Sequence, residues 1–427
     1  MNFNKVNNIT GWIVCIIACA VYILTAEAGG SLWDCGEFVS SCFKLQVPHP
    51  PGAPLFVVIG RIFIVLFGDN PLTAAKAVNI MSALASGFTI LFLFWTITHF
   101  TRKIYQKAHA ALSAEKVFTI MAAGVVGALA FTFSDSMWYS AVEGEVYAFS
   151  SFLTALVFWM MLKWEHNADE PGADRWIVLL FFVIGLSIGI HLLNLLTIPA
   201  IVMIYYFRRY KTTPWGIFWA FIVGCIITGF VQKFVIQYTI TGSGIFDRWF
   251  VNGLGLPFFS GFTAYFVLLG IVILIGIRKA DKLINNFTGF AVWLSVFIFL
   301  FSFPYITSFL SFLLFVAGTA IIVYAAYHSR LKILNFLKLG LWCFAFILIG
   351  YSTYLTTMIR SAANPSVDMY NVDNPMSLVG YVGREQYGDF PLIYGQTFAA
   401  DVKRNAGGTP MVKEKGYRWQ KGDNKYI

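Results

Sequence analysis

Apolar runs of about 20 residues recur along the chain, and they constrain its fold more than any other feature of the sequence. A helical run of that length crosses the hydrocarbon core of a bilayer. Hydrophobic residues make up 58% of the 427 residues and charged residues only 12%, whereas charged residues are about 25% of a soluble domain. The sequence therefore predicts an all-α polytopic membrane protein and excludes an ordinary water-soluble enzyme.

The polar, glycine and proline breaks between the apolar runs predict about 11 membrane crossings within residues 1–358. The crossings are expected at residues 9–26, 73–98, 117–134, 145–163, 176–190, 192–207, 215–237, 258–277, 287–303, 305–327 and 336–358. Residues 176–207 are short for two crossings, so their halves are expected to meet at His191 as an incomplete helical hairpin. Residues 55–67 are apolar but contain Arg61, which favours a helix lying in the membrane interface.

Lys and Arg residues are concentrated at the N-terminus and in alternate connections between the crossings. Of the 30 residues of these types, 16 lie there, nine lie in the tail, and five (Lys44, Arg61, Lys76, Lys233 and Arg248) lie in or near the other connections. Because cytoplasmic connections carry an excess of basic residues, the N-terminus is predicted to be cytoplasmic and the polar tail, residues 359–427, to lie outside. This placement of the basic residues also means that the formal charge of +9 indicates no nucleic-acid partner.

The first outer loop, residues 27–72, contains candidate catalytic carboxylates. Asp34 and Glu37 are three residues apart and would share one face of a helix at the membrane surface. A carboxylate that is partly desolvated at the membrane surface can have a raised pKa and act as a general base. The alternative is a solvated loop whose acids cap a short helix. His49 follows in a proline-dense segment, which would either hold the imidazole beside a pocket or form only a rigid turn.

Two further polar clusters are expected at the outer ends of helices. Glu143 and Glu145 lie at the outer mouth of the fourth crossing, with Tyr147 two residues later, and they could either line a site or complement the helix dipole. His191 and Asn194 place an imidazole and an amide in the outer half of the membrane, where polar side chains face a cavity or a partner helix.

The tail contains two arginines that could bind a phosphate at the membrane surface. Arg360 follows the last crossing, and Arg384 is next to Glu385 in the segment YVGREQYG. Arginine is a natural ligand of a lipid-linked phosphate, and anchoring at the interface is the alternative role. The strongly polar end of the tail is what a fragment of a longer protein would show, with a soluble domain beginning here.

Five motifs in order resemble a multi-pass family found in bacteria and animals. They are WDCGEF, PHPPGAPLF, AVEGEVYAF, GLSIGIHLLN and YVGREQYG, and they cover nearly the whole membrane region and the start of the tail. The animal member of the family is a protein O-mannosyltransferase acting on IPT domains of cell-surface receptors. The family is similar to the GT-C glycosyltransferases, in which the first outer loop carries an acidic catalytic motif and the donor is a sugar on a polyprenyl phosphate.

The resemblance implies a GT-C-like membrane glycosyltransferase that moves a sugar, mannose, from a polyprenyl phosphate to Ser or Thr of exported proteins with inversion at the anomeric carbon. It implies Asp34 as the general base with Glu37 beside it. The residues expected to bind the donor or the acceptor are His49, Arg61, Glu143, Glu145, Tyr147, His191, Asn194, Arg360, Arg384 and Glu385. As a bacterial protein, the chain would lie in the inner membrane with its tail in the periplasm.

The expected partners are membrane lipids, the lipid-linked sugar and exported acceptor proteins. No cofactor is expected because the lipid-linked sugar is a substrate, and the cysteine and histidine spacing indicates no metal centre, although a divalent ion is left open. Transfer of a preassembled glycan en bloc is an alternative reaction. A transporter is another alternative, but the sequence shows no repeated halves with broken helices. A non-catalytic assembly subunit would not need the outer carboxylates.

Overall fold

The structure, a computed structural model, describes residues 2–106, 112–388, 393–395, 397–411 and 418–427, and their side chains except those of residues 330–333. These residues are mainly helical, and their β-structure is limited to isolated bridges such as the one between Val47 and Asp368. The predicted all-α polytopic architecture is confirmed.

Seventeen α-helices follow one another along the described residues. They are α1 (Phe3–Thr25), α2 (Cys35–Lys44), α3 (Pro54–Leu66), α4 (Pro71–Tyr105), α5 (Ala114–Thr132), α6 (Asp135–Val142), α7 (Val146–Asn167), α8 (Arg175–Ile188), α9 (Ile198–Arg209), α10 (Pro214–Phe230), α11 (Thr239–Leu254), α12 (Ser260–Leu283), α13 (Phe287–Ser302), α14 (Phe309–His328), α15 (Arg330–Tyr351), α16 (Leu355–Ser361) and α17 (Pro375–Gly383). A 3-10 helix, Leu192–Thr197, precedes α9, and a π-helical segment, Val231–Tyr238, joins α10 to α11. Proline occupies the first turn of α3, α4, α10 and α17, where its missing N–H costs no intrahelical hydrogen bond.

Ten helical stretches among the described residues are long and apolar enough to cross a membrane. The eleventh crossing, predicted at residues 176–190, corresponds to α8, which has only 14 residues and is short for a full crossing. The helix nevertheless connects the two ends of the bundle. Asp174, before α8, lies 3.8 Å from Arg209, whereas Gly189, after it, accepts a hydrogen bond from the Leu55 N–H at 2.9 Å.

Several helices extend beyond the ends predicted from hydropathy. α4 has 35 residues, whereas residues 73–98 were predicted. It begins where the Asn70 side chain accepts the Leu72 N–H, and it continues past the apolar run because His99 and Lys103 pair with Glu165 of α7. Hydropathy predicts the part of a helix that suits hydrocarbon, whereas capping residues and ion pairs decide where the helix ends.

The two ends of the helix bundle differ in charge. One end, called here the basic face, carries ion pairs that link α4 to α7, α9 to the start of α8, and α15 to α12. These pairs are Lys103–Glu165, Arg209–Asp174 and Lys338–Asp281. Basic residues from separate predicted cytoplasmic connections therefore gather on one face, while Lys107 lies outside the described residues. The opposite end, called the site face, carries the loop after α1 and the start of α7. Which face is cytoplasmic stays a prediction.

Two glycines allow α8 and α15 to cross closely. A Cβ atom at Gly185 would lie 2.3 Å from the Ile347 carbonyl oxygen, and one at Gly350 would lie 2.5 Å from the Phe182 carbonyl oxygen. Small residues at such crossings are typical of membrane helices, because they let the backbones approach. The crossing fixes α8, which leads to His191, against α15, which leads to the tail.

The described part of the tail packs on the site face. α16 runs through the predicted boundary at residue 358, and α17 contacts α11. Tyr426 Oη donates to Asp247 Oδ2 at 2.7 Å, and the Tyr426 N–H donates to Asn252 Oδ1 at 2.8 Å. Asp247 is fully buried and also accepts the backbone N–H groups of Gly261 and Phe262 at the start of α12. This part of the tail therefore belongs to the same packed unit as α11 and α12.

Candidate active site

The loop after α1 is held against the start of α7. The Glu27 N–H donates to the Val142 carbonyl oxygen at 3.1 Å. Asn79, fully buried on α4, donates from Nδ2 to the Glu27 carbonyl oxygen at 2.9 Å. Gly144 packs on the same asparagine, since a Cβ atom there would lie 3.0 Å from Asn79 Oδ1. The two acidic clusters predicted from the sequence are therefore neighbours in the fold.

Asp34, Glu37 and His49 form a compact cluster on the site face. Asp34 is the N-cap residue of α2, and Glu37 lies in its first turn. Both oxygens of Glu37 accept from His49, Oε1 from the backbone N–H at 2.7 Å and Oε2 from Nδ1 at 2.8 Å. His49 Nε2 lies 3.9 Å from Asp34 Oδ2. Because an ionised carboxylate only accepts, Nδ1 carries a proton and Nε2 is left for Asp34 or a ligand.

The two carboxylates of this cluster differ in their freedom. The hydrogen bond from His49 lowers the pKa of the Glu37 carboxyl, and the same bond raises the pKa of the His49 imidazole. The Asp34 side chain is 45% exposed and makes no capping hydrogen bond. Asp34 is therefore the carboxylate that can reach a substrate, while Glu37 is engaged by His49.

The same cluster has the spacing of a metal site. One ligand atom from each of Asp34, Glu37 and His49 lies within 4.8 Å of the others. Carboxylate oxygens with an imidazole nitrogen suit several divalent cations. Because both oxygens of Glu37 are engaged, a cation would be held by Asp34 and His49, with Glu37 orienting the imidazole.

Glu143 and Glu145 lie before α7 and differ in their surroundings. Glu143 Oε2 accepts from Ser31 Oγ at 3.0 Å and so fastens the loop after α1. Glu145 is only 3% exposed and accepts the Val146 N–H at 2.6 Å. Burial raises the pKa of the Glu145 carboxyl to about 7, and the charge of Asp34 acts in the same direction. One acid of the pair therefore points into the protein, and the other contacts the outer loop.

His191 lies at the break between α8 and the following 3-10 helix. Its Nδ1 accepts the Leu193 N–H at 3.2 Å, and its ring packs edge-on against Tyr147 with 5.3 Å between the centroids. Burial lowers the pKa of the His191 imidazole, and the positive charge of Arg384 contributes to the shift. The structure therefore brings His191, Tyr147 and Arg384 of the tail into one neighbourhood, with a neutral imidazole whose Nε2–H can donate.

Two arginines of the predicted set make contacts that brace α2. Arg61 pairs with Asp69 at 2.6 Å and donates to the Phe43 carbonyl oxygen at 2.8 Å. Arg360 donates from Nε to the Leu45 carbonyl oxygen at 2.8 Å. Both guanidinium groups thus bind backbone oxygens near the end of α2, and their binding of a phosphate stays a prediction.

Asn194 and Glu385 are also held by neighbouring side chains. Asn194 Oδ1 accepts from Thr197 Oγ1 at 3.2 Å, while its buried Nδ2 has no partner in the described part of the chain. Glu385 Oε2 accepts from Tyr370 Oη at 2.9 Å. Of this pair, Asn194 is the residue with an unused hydrogen-bond donor.

Three residues outside the predicted set, Tyr381, Gly52 and Asn79, organise the site. Tyr381 of α17 is fully buried and donates from Oη to the Pro48 carbonyl oxygen at 2.6 Å. Gly52, with φ of 68°, makes room for the Tyr381 side chain, since a Cβ atom at Gly52 would lie 2.2 Å from Tyr381 Oη. Asn79 could have been found as a polar residue within a long apolar helix. No sequence signal connects Tyr381 with the loop that it reaches.

Residues 34–214 match the family model described as the Protein O-mannosyl-transferase TMEM260 N-terminal domain. The chain resembles the TMEM260 family. The family resemblance inferred from the motifs is thus confirmed, and the match covers residues of the first four motifs. The matched residues begin at Asp34 and include His49, Glu145 and His191, whereas Arg384 lies beyond them.

Two relatives have names that agree with this match. Protein O-mannosyl-transferase tmem260 of Dictyostelium discoideum is 26% identical over 157 residues, which cover 36% of this chain and 17% of the relative. Protein O-mannosyl-transferase TMEM260 of Mus musculus is 27% identical over 169 residues, which cover 40% of this chain and 21% of the relative. The similarity thus spans no more than 21% of the length of either relative. No solved structure matches the chain.

Proposed function

We propose that the chain is a membrane glycosyltransferase that moves mannose from a polyprenyl phosphate to the hydroxyl of Ser or Thr in an exported protein. The observation that carries the proposal is the accessible Asp34 carboxylate beside the hydrogen-bonded Glu37–His49 pair, at the start of the stretch that resembles the TMEM260 family. The names of the two relatives support mannose as the sugar and a protein as the acceptor. Both relatives are eukaryotic, so a bacterial inner membrane stays a prediction.

In the proposed reaction, the acceptor oxygen attacks the anomeric carbon while Asp34 takes the hydroxyl proton. The bond from the anomeric carbon to the phosphate oxygen breaks, and its electron pair leaves with the polyprenyl phosphate. A hydroxyl needs such a base because its own pKa lies far above neutral pH. Direct displacement inverts the anomeric carbon, so a β-linked donor gives an α-linked product. In this scheme Glu37 and His49 are positioning residues.

An apolar cavity of about 670 Å³ supports a lipid-linked donor. The cavity lies between α12 and α15, and its lining includes Tyr354, which follows α15, and Leu378 of α17. Tyr354 also donates to the Ile188 carbonyl oxygen at 3.4 Å, at the end of α8. A polyprenyl chain in the cavity would therefore bring its phosphate towards His191 and Arg384, which supply hydrogen-bond donors and positive charge for the leaving group.

The test uses the purified full chain, a synthetic polyprenyl phosphate mannose and an exported acceptor domain. Asp34→Asn keeps the shape of the side chain but removes its basicity, so we expect the transfer rate to fall about a hundredfold or more. Asp135→Asn, at an exposed acid of α6, is the matched control and should retain full activity. Intact mass measures the added hexose, and digestion with an α-mannosidase reports its configuration.

Each part of the proposal would be excluded by a different experimental result. Asp34→Asn with activity within a few-fold of the parent would exclude Asp34 as the base. A product of retained configuration would exclude direct displacement, and dependence on a nucleotide sugar would exclude the polyprenyl donor. Transfer of a whole preassembled glycan would leave the role of Asp34 intact but replace the substrate.

A further inference from the structure

A second cavity, of about 460 Å³, lies at the basic face, at the opposite end of the bundle from Asp34. It is formed by the first turns of α1 and the last turns of α4 and α7. Its polar lining includes Asn4, Asn7, Asn8, Arg102, Lys163 and His166. The proposed transfer reaction does not use this cavity.

The arginine and the lysine that line this cavity contact aromatic rings instead of carboxylates. The Arg102 guanidinium lies 4.5 Å from the centre of the Phe3 ring, and the Lys163 ammonium lies 4.9 Å from the centre of the Trp159 ring. Neither cation forms an ion pair with a carboxylate within the described ranges. An aromatic ring attracts a cation but does not neutralise its charge. The cavity therefore presents positive charge that an anion can bind.

The neighbouring acid on α7, Glu165, already contacts two basic residues of α4. Glu165 accepts from His99 at 3.1 Å and also pairs with Lys103, both of them on α4. Its carboxylate therefore compensates two basic groups of α4. The charges of Arg102 and Lys163 are left for a ligand.

Two buried polar atoms of residues that line the cavity have no partner in the described structure. They are a donor, Trp95 Nε1, and an acceptor, Asn7 Oδ1. Buried polar atoms are rarely left unpaired, so an unmet donor and an unmet acceptor beside one cavity favour a ligand that offers both kinds of hydrogen-bonding group. A phosphate that carries a hydroxyl-bearing substituent has both properties.

The surface of α1 next to the cavity is suited to acyl chains. Ile9, Trp12 and Ile13 are exposed large apolar residues within the apolar helix that lines the cavity. A headgroup in the cavity would therefore have its acyl chains beside α1, which favours a lipid over a free phosphate. We propose that the cavity binds the headgroup of an anionic phospholipid that carries hydroxyl groups, with its phosphate held by Arg102 and Lys163. This proposal is independent of the transferase reaction.

Native mass spectrometry of the full chain tests the proposal with three probes, namely phosphatidylglycerol, phosphatidylcholine and glycerol 3-phosphate. We expect one phosphatidylglycerol to be retained in preference to the other two. Lys163→Gln and Arg102→Gln should each weaken its binding about fivefold, as loss of one basic residue near a lipid phosphate predicts. Lys116→Gln is the matched control, because Lys116 is exposed at the basic-face end of α5 and does not line the cavity.

Three results would overturn the proposal. The first is retention of phosphatidylcholine equal to that of phosphatidylglycerol. The second is a loss of phosphatidylglycerol binding in Lys116→Gln equal to the loss in Lys163→Gln or Arg102→Gln. The third is binding of glycerol 3-phosphate as tight as that of phosphatidylglycerol. Thermal unfolding without lipid checks that the variants fold. Should either variant unfold, Asn7→Asp, which adds a negative charge to the cavity, gives the second test, and unchanged lipid affinity there would contradict the proposal.

Discussion

The hydrogen bonds between Glu37 and His49 predict a pH-dependent contribution to stability. His49 lowers the pKa of Glu37 from its ordinary 4.5, and Glu37 raises the pKa of His49 from its ordinary 6.5. The contribution of Glu37 is lost as the pH falls through its lowered pKa, and that of His49 is lost as the pH rises through its raised pKa. Glu37→Gln should therefore reduce the thermal unfolding temperature more at about pH 5.5 than at about pH 9. Equal losses at both pH values would contradict this role.

Arg384 is expected to bind the phosphate of the donor. Its charge acts on His191, and it belongs to a tail motif on the site face. Arg384→Ala should raise the KM for the lipid-linked donor about tenfold, in line with one lost charge-assisted hydrogen bond, and leave the KM for the acceptor unchanged. Arg404→Ala, at an exposed arginine of the tail, is the control. A change in the acceptor KM alone would move the phosphate ligand elsewhere, with Arg61 next to be tested.

At the scale of single residues, the sequence predicted which residues belong to the site better than it predicted their hydrogen-bond partners. Asp34, Glu37 and His49 were candidates from their chemistry and their position in the first outer loop, and the structure brings them together. The hydrogen bonds between Glu37 and His49 could not be predicted, because they depend on how the chain between these residues, which are 12 positions apart, folds back. The contact of Tyr381 with Pro48 depends on packing across the whole bundle.

At the scale of helices, the crossing of α8 and α15 predicts a sharp effect of one methyl group. Gly185→Ala would place a Cβ atom against the backbone of α15, so it should destabilise the protein by about 1–3 kcal/mol. Gly318→Ala, in α14, is the matched control, because a Cβ atom at Gly318 would meet nothing within 4 Å. Thermal unfolding in detergent measures both variants. Equal stability of the two would show that the helices separate at this crossing.

Hydropathy predicted the order of the helices correctly but not their lengths. The short halves expected around His191 are present as α8 and the 3-10 helix with α9. Their break follows from local chemistry, since Gly189 ends α8 and the His191 side chain caps the next helical turn. The extension of α4 past residue 98 depends on ion pairs with α7, which no single-helix pattern contains.

For the whole molecule, the charge distribution predicts its orientation. Basic residues gather on one face, so a reporter fused after Lys107 should be cytoplasmic and one after Gly380 should lie on the outer side. Fusions that carry an enzyme active only in one compartment measure this directly. An outer signal at Lys107 would reverse the arrangement and place the Asp34 cluster on the wrong side for an exported acceptor.

The hydrogen bonds from the tail to the first outer loop join residues that the ribosome adds at very different times. Tyr381 follows Pro48 by 333 positions, and Arg360 follows Leu45 by 315. A ribosome that adds about 5–20 residues per second needs roughly 17–67 s between the members of the first pair. Throughout that interval the loop exists without the residues that support it. We expect the site to assemble only after Tyr381 has been made, so that a shorter nascent chain is inert towards the proteins exported beside it.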